Sequence, residues 1–494
     1  MDVVDLARWQ FGITTIYHFL FVPLSIGLSA IVAGLQTAWL VTKAERYLAL
    51  TKFFGKVLII NFAVGIVTGL VQEFQFGMNW SAYSRFVGDV FGVPLAIEGL
   101  LAFFLESTFL GLWIFGWDRL PKWLHLVCIW LVAIGTQISA YVILTVNAWM
   151  QHPVGYRINP GNGRVELTDF GAMLTNPTAI EAGLHTAAAC FLTGGALVAG
   201  VAFWQLARPG TPDVARIAFR TAAKVGSAVV LVAALGVVIS GDSMMKLMTR
   251  LQPMKVAAAE GLFNTEQPAG FSLLTIGTAD GRSELWSIKL PELLSFLATG
   301  KFTGKVEGIN QLQQQYVATF GPGDYIPNVP VAYWSFRLMI GAGMLAAFLA
   351  LVGLLLLRRP ALLRHRWVPW IALAVPFLPL LANSAGWLFT EGGRQPWIAY
   401  GLFKTVDGVS PGTSALDVAI SLGVFTLLYG GLAVLEFGLL RRAVRVLPSV
   451  GGSGAAGGGG DGDGRGEGGP PDGGAAGRDP VDGDDLERPL TFTY

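Results

Sequence analysis

The sequence predicts an all-α integral membrane protein of about nine transmembrane helices, with its N-terminus outside and its C-terminus cytoplasmic. Three observations carry that expectation. The 494 residues are 53% hydrophobic and only 14% charged, with a mean hydropathy of +0.55, whereas soluble domains carry about 25% charged residues. The apolar residues fall in long runs. The basic residues fall almost entirely on alternate connections between those runs.

The runs lie at about 15–42, 54–75, 91–116, 123–148, 178–206, 219–241, 331–357, 368–390 and 414–440. Each is long enough to cross about 30 Å of hydrocarbon at about 1.5 Å per residue. The first has no basic leader and no small-residue cleavage site after it, so it reads as a span and not as a signal peptide. The loops after runs one, three, five and seven, with the end of the last run, hold Lys43, Arg46, Arg119, Lys122, Arg208, Arg216, Arg358, Arg359, Arg441 and Arg442 among others. The opposite short loops and the N-terminus hold only Arg8, Arg85, Arg157, Arg164, Arg394 and Lys404. Positive residues stay on the cytoplasmic side, which sets the orientation.

Four regions follow: a six-helix membrane part (1–241), an extracytoplasmic loop (242–330), a three-helix membrane part (331–448) and a Gly-rich tail (449–494) too poor in apolar groups to fold. A loop as long as 242–330 inside a compact protein is usually functional or disordered. The net charge of +1 gives no footprint for nucleic acid. Cys128 and Cys190 lie inside apolar runs and read as packed thiols.

Ionisable or metal-binding side chains inside hydrocarbon carry the functional signal, since an Asp, Lys or Arg there costs about 2.5–3.5 kcal/mol. His18, Glu98, Glu106, His185, Arg337, Met339 and Glu391 are so placed. Given the orientation, His18, Glu98, His185, Met339 and Glu391 all sit near the outer surface. Structural alternatives stand beside this for each. A lone intramembrane His makes interhelical contacts, Met fills apolar gaps, and Glu391 sits where a helix end needs a cap. Glu98 and Glu106, on a regular helix, would stand about 80° apart in angle and about 12 Å apart in height, as a structural pair or a proton route. His125, His152 and His365, at span ends or in loops, read as surface residues. Iron in haem takes His, Met or Tyr axially. A haem–copper site asks for six histidine ligands, and the chain has five His in all.

The segments RWQFGITTIYHFLFVPLSIG (8–27), QEFQFGMNW (72–80), EGLLAFFLESTFLGLWIFGW (98–117), NAWMQHPVG (147–155), QPMKVAAAE (252–260), YWSFRLMIG (333–341) and GRQPW (393–397) resemble subunit I of the cytochrome bd-type quinol oxidases, in its short quinol-loop form. The resemblance spans everything but the tail. It implies a multi-pass subunit of the bacterial cytoplasmic membrane that oxidises quinol (menaquinol or ubiquinol) outside and reduces O2 to water with cytoplasmic protons, building a proton motive force without pumping. The cofactors implied are a low-spin haem b, a high-spin haem b and haem d, without copper. The partners implied are a second membrane subunit and, in some members, a small single-span one.

Residue by residue, the resemblance makes His185 and Met339 the ligands of the low-spin haem, with Arg337 beside it. His18 becomes the axial ligand of one high-spin haem, with Glu98 facing it, and Glu391 the ligand of the other. Arg394 would neutralise propionates, Glu106 would pass protons, and Lys255 and Glu260 would serve quinol oxidation. Two rival readings are a haem b quinol dehydrogenase anchor, which wants four deep histidines, and a secondary transporter, which explains buried carboxylates but not the paired His and Met.

Overall fold

A computed structural model describes residues 2–278 and 280–447, so the predicted tail lies outside the described residues. Helix α1 (Val3–Thr42) starts at Asp2, whose carboxylate accepts from Asp5 N, and stops where Lys43 turns left-handed. α2 (Glu45–Met78) returns antiparallel to it. The third predicted span is a composite: α3 (Ser81–Glu98), an eight-residue π-helical stretch (Gly99–Glu106) and α4 (Ser107–Phe115). Next come α5 (Lys122–Gln151), the hairpin β1 (Tyr156–Ile158) and β2 (Val165–Leu167), and the short α6 (Phe170–Leu174). Helices α7 (Pro177–Ala207) and α8 (Asp213–Leu251) form the most extensively packed pair.

The long loop is ordered. It holds α9 (Pro253–Glu260), the hairpin β3 (Phe271–Gly277) and β4 (Glu284–Leu290), α10 (Leu293–Thr299) and α11 (Ile309–Phe320). The chain re-enters the bundle as α12 (Val329–Leu356), turns through α13 (Pro360–Leu363), and returns as α14 (Val368–Ala374) and α15 (Phe377–Gly392). The hairpin β5 (Trp397–Ala399) and β6 (Phe403–Lys404) leads to α16 (Ala415–Arg445), opened by a reciprocal Ser414–Asp417 capping box. All three hairpins are antiparallel, with Tyr156 opposite Leu167 and Phe271 opposite Leu290.

Among the described residues, eight helices are long and apolar enough to cross a membrane. The predicted span 91–116 is the exception, because its pieces of 18, 8 and 9 residues are each too short or too polar to qualify alone. The protein is a mostly helical, multi-pass membrane protein. Helix α8 runs on to Leu251, so the Met- and Lys-rich stretch after residue 241 continues the helix.

The two ends of the bundle differ inside. The end carrying the basic turns holds an apolar core of Phe54, Trp113, Ile129, Leu206 and Phe219. His125 belongs to that core and not to the surface, because α5 begins before it and seats its ring between Trp113 and Trp117. Its Nε2 donates to Trp113 O at 2.7 Å, and Gln36 Nε2 donates to its Nδ1 at 2.8 Å. Cys128 and Cys190 are buried free thiols. The other end, where 252–328 packs, keeps polar groups in its interior.

Candidate functional site: imidazoles, carboxylates and arginines at one end of the bundle

His18 on α1 points at α2, where Thr68 Oγ1 lies 3.0 Å from its Nδ1. The Thr68 hydroxyl donates back to its own helix, to Gly65 O at 3.0 Å or Val64 O at 3.2 Å. With that proton committed, His18 Nδ1 must donate, and Nε2 carries the free lone pair. His185 on α7 repeats the arrangement. Its Nδ1 is 3.0 Å from Ser240 Oγ on α8, and Ser240 donates to Gly236 O at 2.7 Å. Two histidines on unrelated helices are thus held in the Nδ1–H tautomer, the form in which Nε2 binds a metal and a neighbouring acceptor fixes the ring.

Glycines face both rings and the methionine. A Cβ at Gly69 would come within 3.1 Å of His18 Cε1, at Gly241 within 3.5 Å of His185 Cε1, and at Gly386 within 3.0 Å of Met339 Sδ. Helices α12 and α15 pack together and bring Met339 into this interior.

The π-helical stretch changes the relation of Glu98 and Glu106. Regular-helix arithmetic does not hold across it, and both carboxylates turn to α5. Ser139 Oγ donates to Glu98 Oε1 at 3.3 Å, while Glu106 packs on Gly135, one turn away on α5, where a Cβ would come within 3.2 Å of its Cγ. Glu106 is 5% exposed and its Oε1 is buried without a partner among the described residues. A π-bulge is a frequent mark of function because it re-aims side chains that an α-helix would splay.

At the mouth of the bundle, Glu391 accepts from Asn147 Nδ2 at 2.8 Å and pairs with Arg394 Nη2. Arg394 is 4% exposed, and its Nη1, like the nearby Trp397 Nε1, is buried with no acceptor among the described residues. Beside them Lys255 Nζ donates to Gln151 Oε1. Burial, helped by the Arg394 charge and opposed by Glu391, holds the Lys255 amine down to about 7.

Glu260 is the last residue of α9, and Gly261 closes that helix at φ +60°, a conformation that favours glycine. Arg337 grips the Glu260 carboxylate with two hydrogen bonds, of 2.8 and 3.3 Å, and Ser272 N donates to it at 3.3 Å. Burial raises the Glu260 carboxyl above the ordinary range, and the Arg337 charge and hydrogen bonds oppose the rise. Arg337 also lies over the rings of Phe271, Tyr333 and Phe336. Glu260 and Arg337 are far apart in sequence, and their pairing was not anticipated. It ties the loop to the helix that carries Met339.

The predicted site residues fall in two groups, with Glu106 the deepest, packed at the middle of α5. His18, Glu98, Glu106, His185 and Met339 lie among the helices, while Lys255, Glu260, Arg337, Glu391 and Arg394 lie where the loop meets them. Thr68, Ser139, Asn147, Gln151 and Ser240 were not anticipated. Only the adjacent Thr68–Gly69 and Ser240–Gly241 pairs, a hydroxyl next to a glycine within an apolar run, offered a signal.

This bundle, with imidazole, carboxylate and guanidinium groups in its interior, is that of a multi-pass membrane protein. The sequence matches the cytochrome bd terminal oxidase subunit I family over residues 6–448, and the chain belongs to that family of oxidoreductases. It is 49% identical over 443 residues to the cytochrome bd ubiquinol oxidase subunit 1 of Bacillus subtilis, covering 88% of this chain and 93% of that one. It is 36% identical over 505 residues to the cytochrome bd-II ubiquinol oxidase subunit 1 of Escherichia coli, covering 91% and 97%. Among solved structures, the bd oxidase from Geobacillus thermodenitrificans superposes with a TM-score of 0.81 at 28% identity, over 90% of this chain and 98% of that one.

Proposed function

We propose that the chain is the haem-carrying, quinol-oxidising subunit of a terminal oxidase in the bacterial cytoplasmic membrane. The observation that carries this reading is the shared tautomer of His18 and His185, each with Nε2 left free by a hydroxyl already committed to its own helix. The residues fit haem. The rings lie against glycines, and Arg394 offers a buried, unpartnered N–H to a propionate. In this reading His185 and Met339 hold a low-spin haem b, and His18 and Glu391 hold the high-spin haem b and haem d, with Glu98 facing the His18 site and no copper. Bound haem supplies the redox-active iron that accepts electrons and binds O2.

The chain's own residues then handle protons and charge. Glu260, held in place by Arg337, takes a proton from quinol and sheds it to the side of the 252–328 loop. Lys255, its amine held down to about 7, hydrogen-bonds the quinol oxygen and balances its charge. Glu106 and Glu98, one α5 turn apart in the partners they face, pass protons inward from the opposite, basic end. With the N-terminus outside and the C-terminus cytoplasmic, quinol oxidation outside and proton uptake inside separate charge without pumping. The four regions, 1–241, 242–330, 331–448 and 449–494, then correspond to six helices, quinol loop, three helices and tail. Helix α16, with only 11% of its most apolar window buried, offers a face to the second membrane subunit, and a small single-span subunit completes the complex in this reading.

The test is proton release from proteoliposomes of the purified complex during quinol oxidation. The reading predicts about one proton released per electron on the loop side, as the stoichiometry of quinol oxidation requires. A clearly larger ratio contradicts the non-pumping scheme, and no quinol-driven O2 uptake contradicts the function.

A further inference from the structure

At the end of the bundle away from this site, a cleft of about 580 Å³ opens between the start of α8 and the short helix α13. Three guanidinium groups line it, those of Arg216, Arg220 and Arg364, against apolar walls that include Leu206 and Leu363, with Asp213 as the one carboxylate. Two of the arginines are pinned by backbone carbonyls. Arg216 Nε donates to Thr211 O at 3.1 Å and its Nη2 to Arg208 O at 3.5 Å, and Arg220 Nη2 donates to Leu357 O at 2.9 Å. These contacts leave Arg216 Nη1 and Arg220 Nη1 and Nε without a protein acceptor among the described residues. Arg364 is exposed and has no side-chain partner among them. Three cations against one anion, on a rim made by loops the quinol chemistry does not use, leave a net positive, partly desolvated recess.

We propose that this cleft binds the phosphate of an anionic membrane lipid. Its surroundings favour a lipid over a free ion. Trp367 and Trp370, just after α13, are 56% and 70% exposed, and further along α8, deeper in the span, Val232 and Leu235 are 74% and 61% exposed. Exposed tryptophans mark the depth of the headgroups, and exposed aliphatic residues on a spanning helix mark the depth of the acyl chains. A phosphate held by the arginines would therefore lie at headgroup level, with its chains running down α8. Basic pockets between membrane helices select anionic headgroups in this way, and guanidinium groups bind phosphate through paired N–H donors.

The test is native mass spectrometry of the purified oxidase complex in mixed micelles of phosphatidylcholine and phosphatidylglycerol. One retained phosphatidylglycerol per complex is expected, and no retained phosphatidylcholine. Arg364→Gln, at an exposed side chain with no partner to lose, should weaken retention about fivefold, and Arg216→Gln with Arg364→Gln should abolish it, while the visible spectrum and oxidase turnover stay as in the native complex. Arg364→Lys should keep most of the retention. Retention unchanged in the double variant would overturn the proposal. Displacement of the lipid by millimolar sodium phosphate would assign the cleft to a free phosphate and overturn the lipid source. Loss of the second subunit from the double variant with the lipid still held would reassign the arginines to a protein contact.

Discussion

Around His18 and His185 each ring has a single side-chain hydrogen-bond partner, a hydroxyl whose proton is already given to its own helix, and each lies against a glycine. Lys255 and Glu260, at the same end of the bundle, are placed differently. Arg337, Gln151 and Ser272 grip them directly, and Glu391 and Arg394 bear on the Lys255 amine. The first arrangement leaves each Nε2 without a hydrogen-bond partner among the described residues and so suits a group bound through that atom. The second is gripped by the protein's own side chains and acts through its own charges, although Arg337 Nε, Gln151 Nε2 and Arg394 Nη1 are left without a partner among the described residues. Damage to the first should remove a bound group and spare the loop. Damage to the second should spare the bound groups and slow the reaction.

The sharpest way to break this contrast is His185→Ala. Complete loss of the low-spin haem absorbance is expected, with the complex still assembled in the membrane. Reduced-minus-oxidised spectra and a haem assay check it, and a normal low-spin signal would end the assignment.

Glu260→Ala is next. Removing a general base costs about 10²–10⁴ in turnover, and leaving the buried Arg337 unpaired costs about 3–5 kcal/mol of stability. Glu260→Gln separates the two effects, because its amide oxygen can still accept one hydrogen bond from Arg337 but takes up no proton. Oxygen uptake should fall as far as in Glu260→Ala, and the thermal midpoint should fall less. Haem content should be unchanged in both.

Thr68→Val and Ser240→Ala sharpen the comparison from the other side. Each removes only the acceptor that fixes a ring, and second-layer partners of this kind are worth about 10–100-fold in metal-site affinity. Haem titration of the stripped complex should show that loss, while loop-side quinol binding stays intact.

The smallest effect concerns pH. The Lys255 amine is lowered from 10.5 to about 7, so between those values the unfolded chain binds a proton that the folded chain does not. Stability therefore rises with pH across that window. Lys255→Met should flatten the rise, seen as a thermal midpoint that no longer climbs with pH.

Hydropathy made the spans legible because hydrocarbon demands about twenty apolar residues in a row, and few other environments do. It was blind to what happens inside a span. The stretch Gly99–Glu106 reads as ordinary apolar helix, and nothing in its composition announces the π-helical turn that sets Glu98 and Glu106 against α5. The ligand-type residues were legible as polar groups in the wrong solvent. Their partners were not, since Thr68 and Ser240 are unremarkable in a membrane helix. The Arg337–Glu260 pair joins two segments that only the folding of the loop onto α12 brings together. His125 misled for the same reason in reverse: its place near a span end suggested the surface, while Trp113 and Trp117 fold over it.

The most direct test of the central claim is a dithionite-reduced minus air-oxidised visible spectrum of the purified complex, with and without carbon monoxide. The account predicts low-spin haem b bands together with a red-shifted chlorin band that moves when carbon monoxide is added. A colourless but intact complex, or low-spin b bands alone, would contradict it.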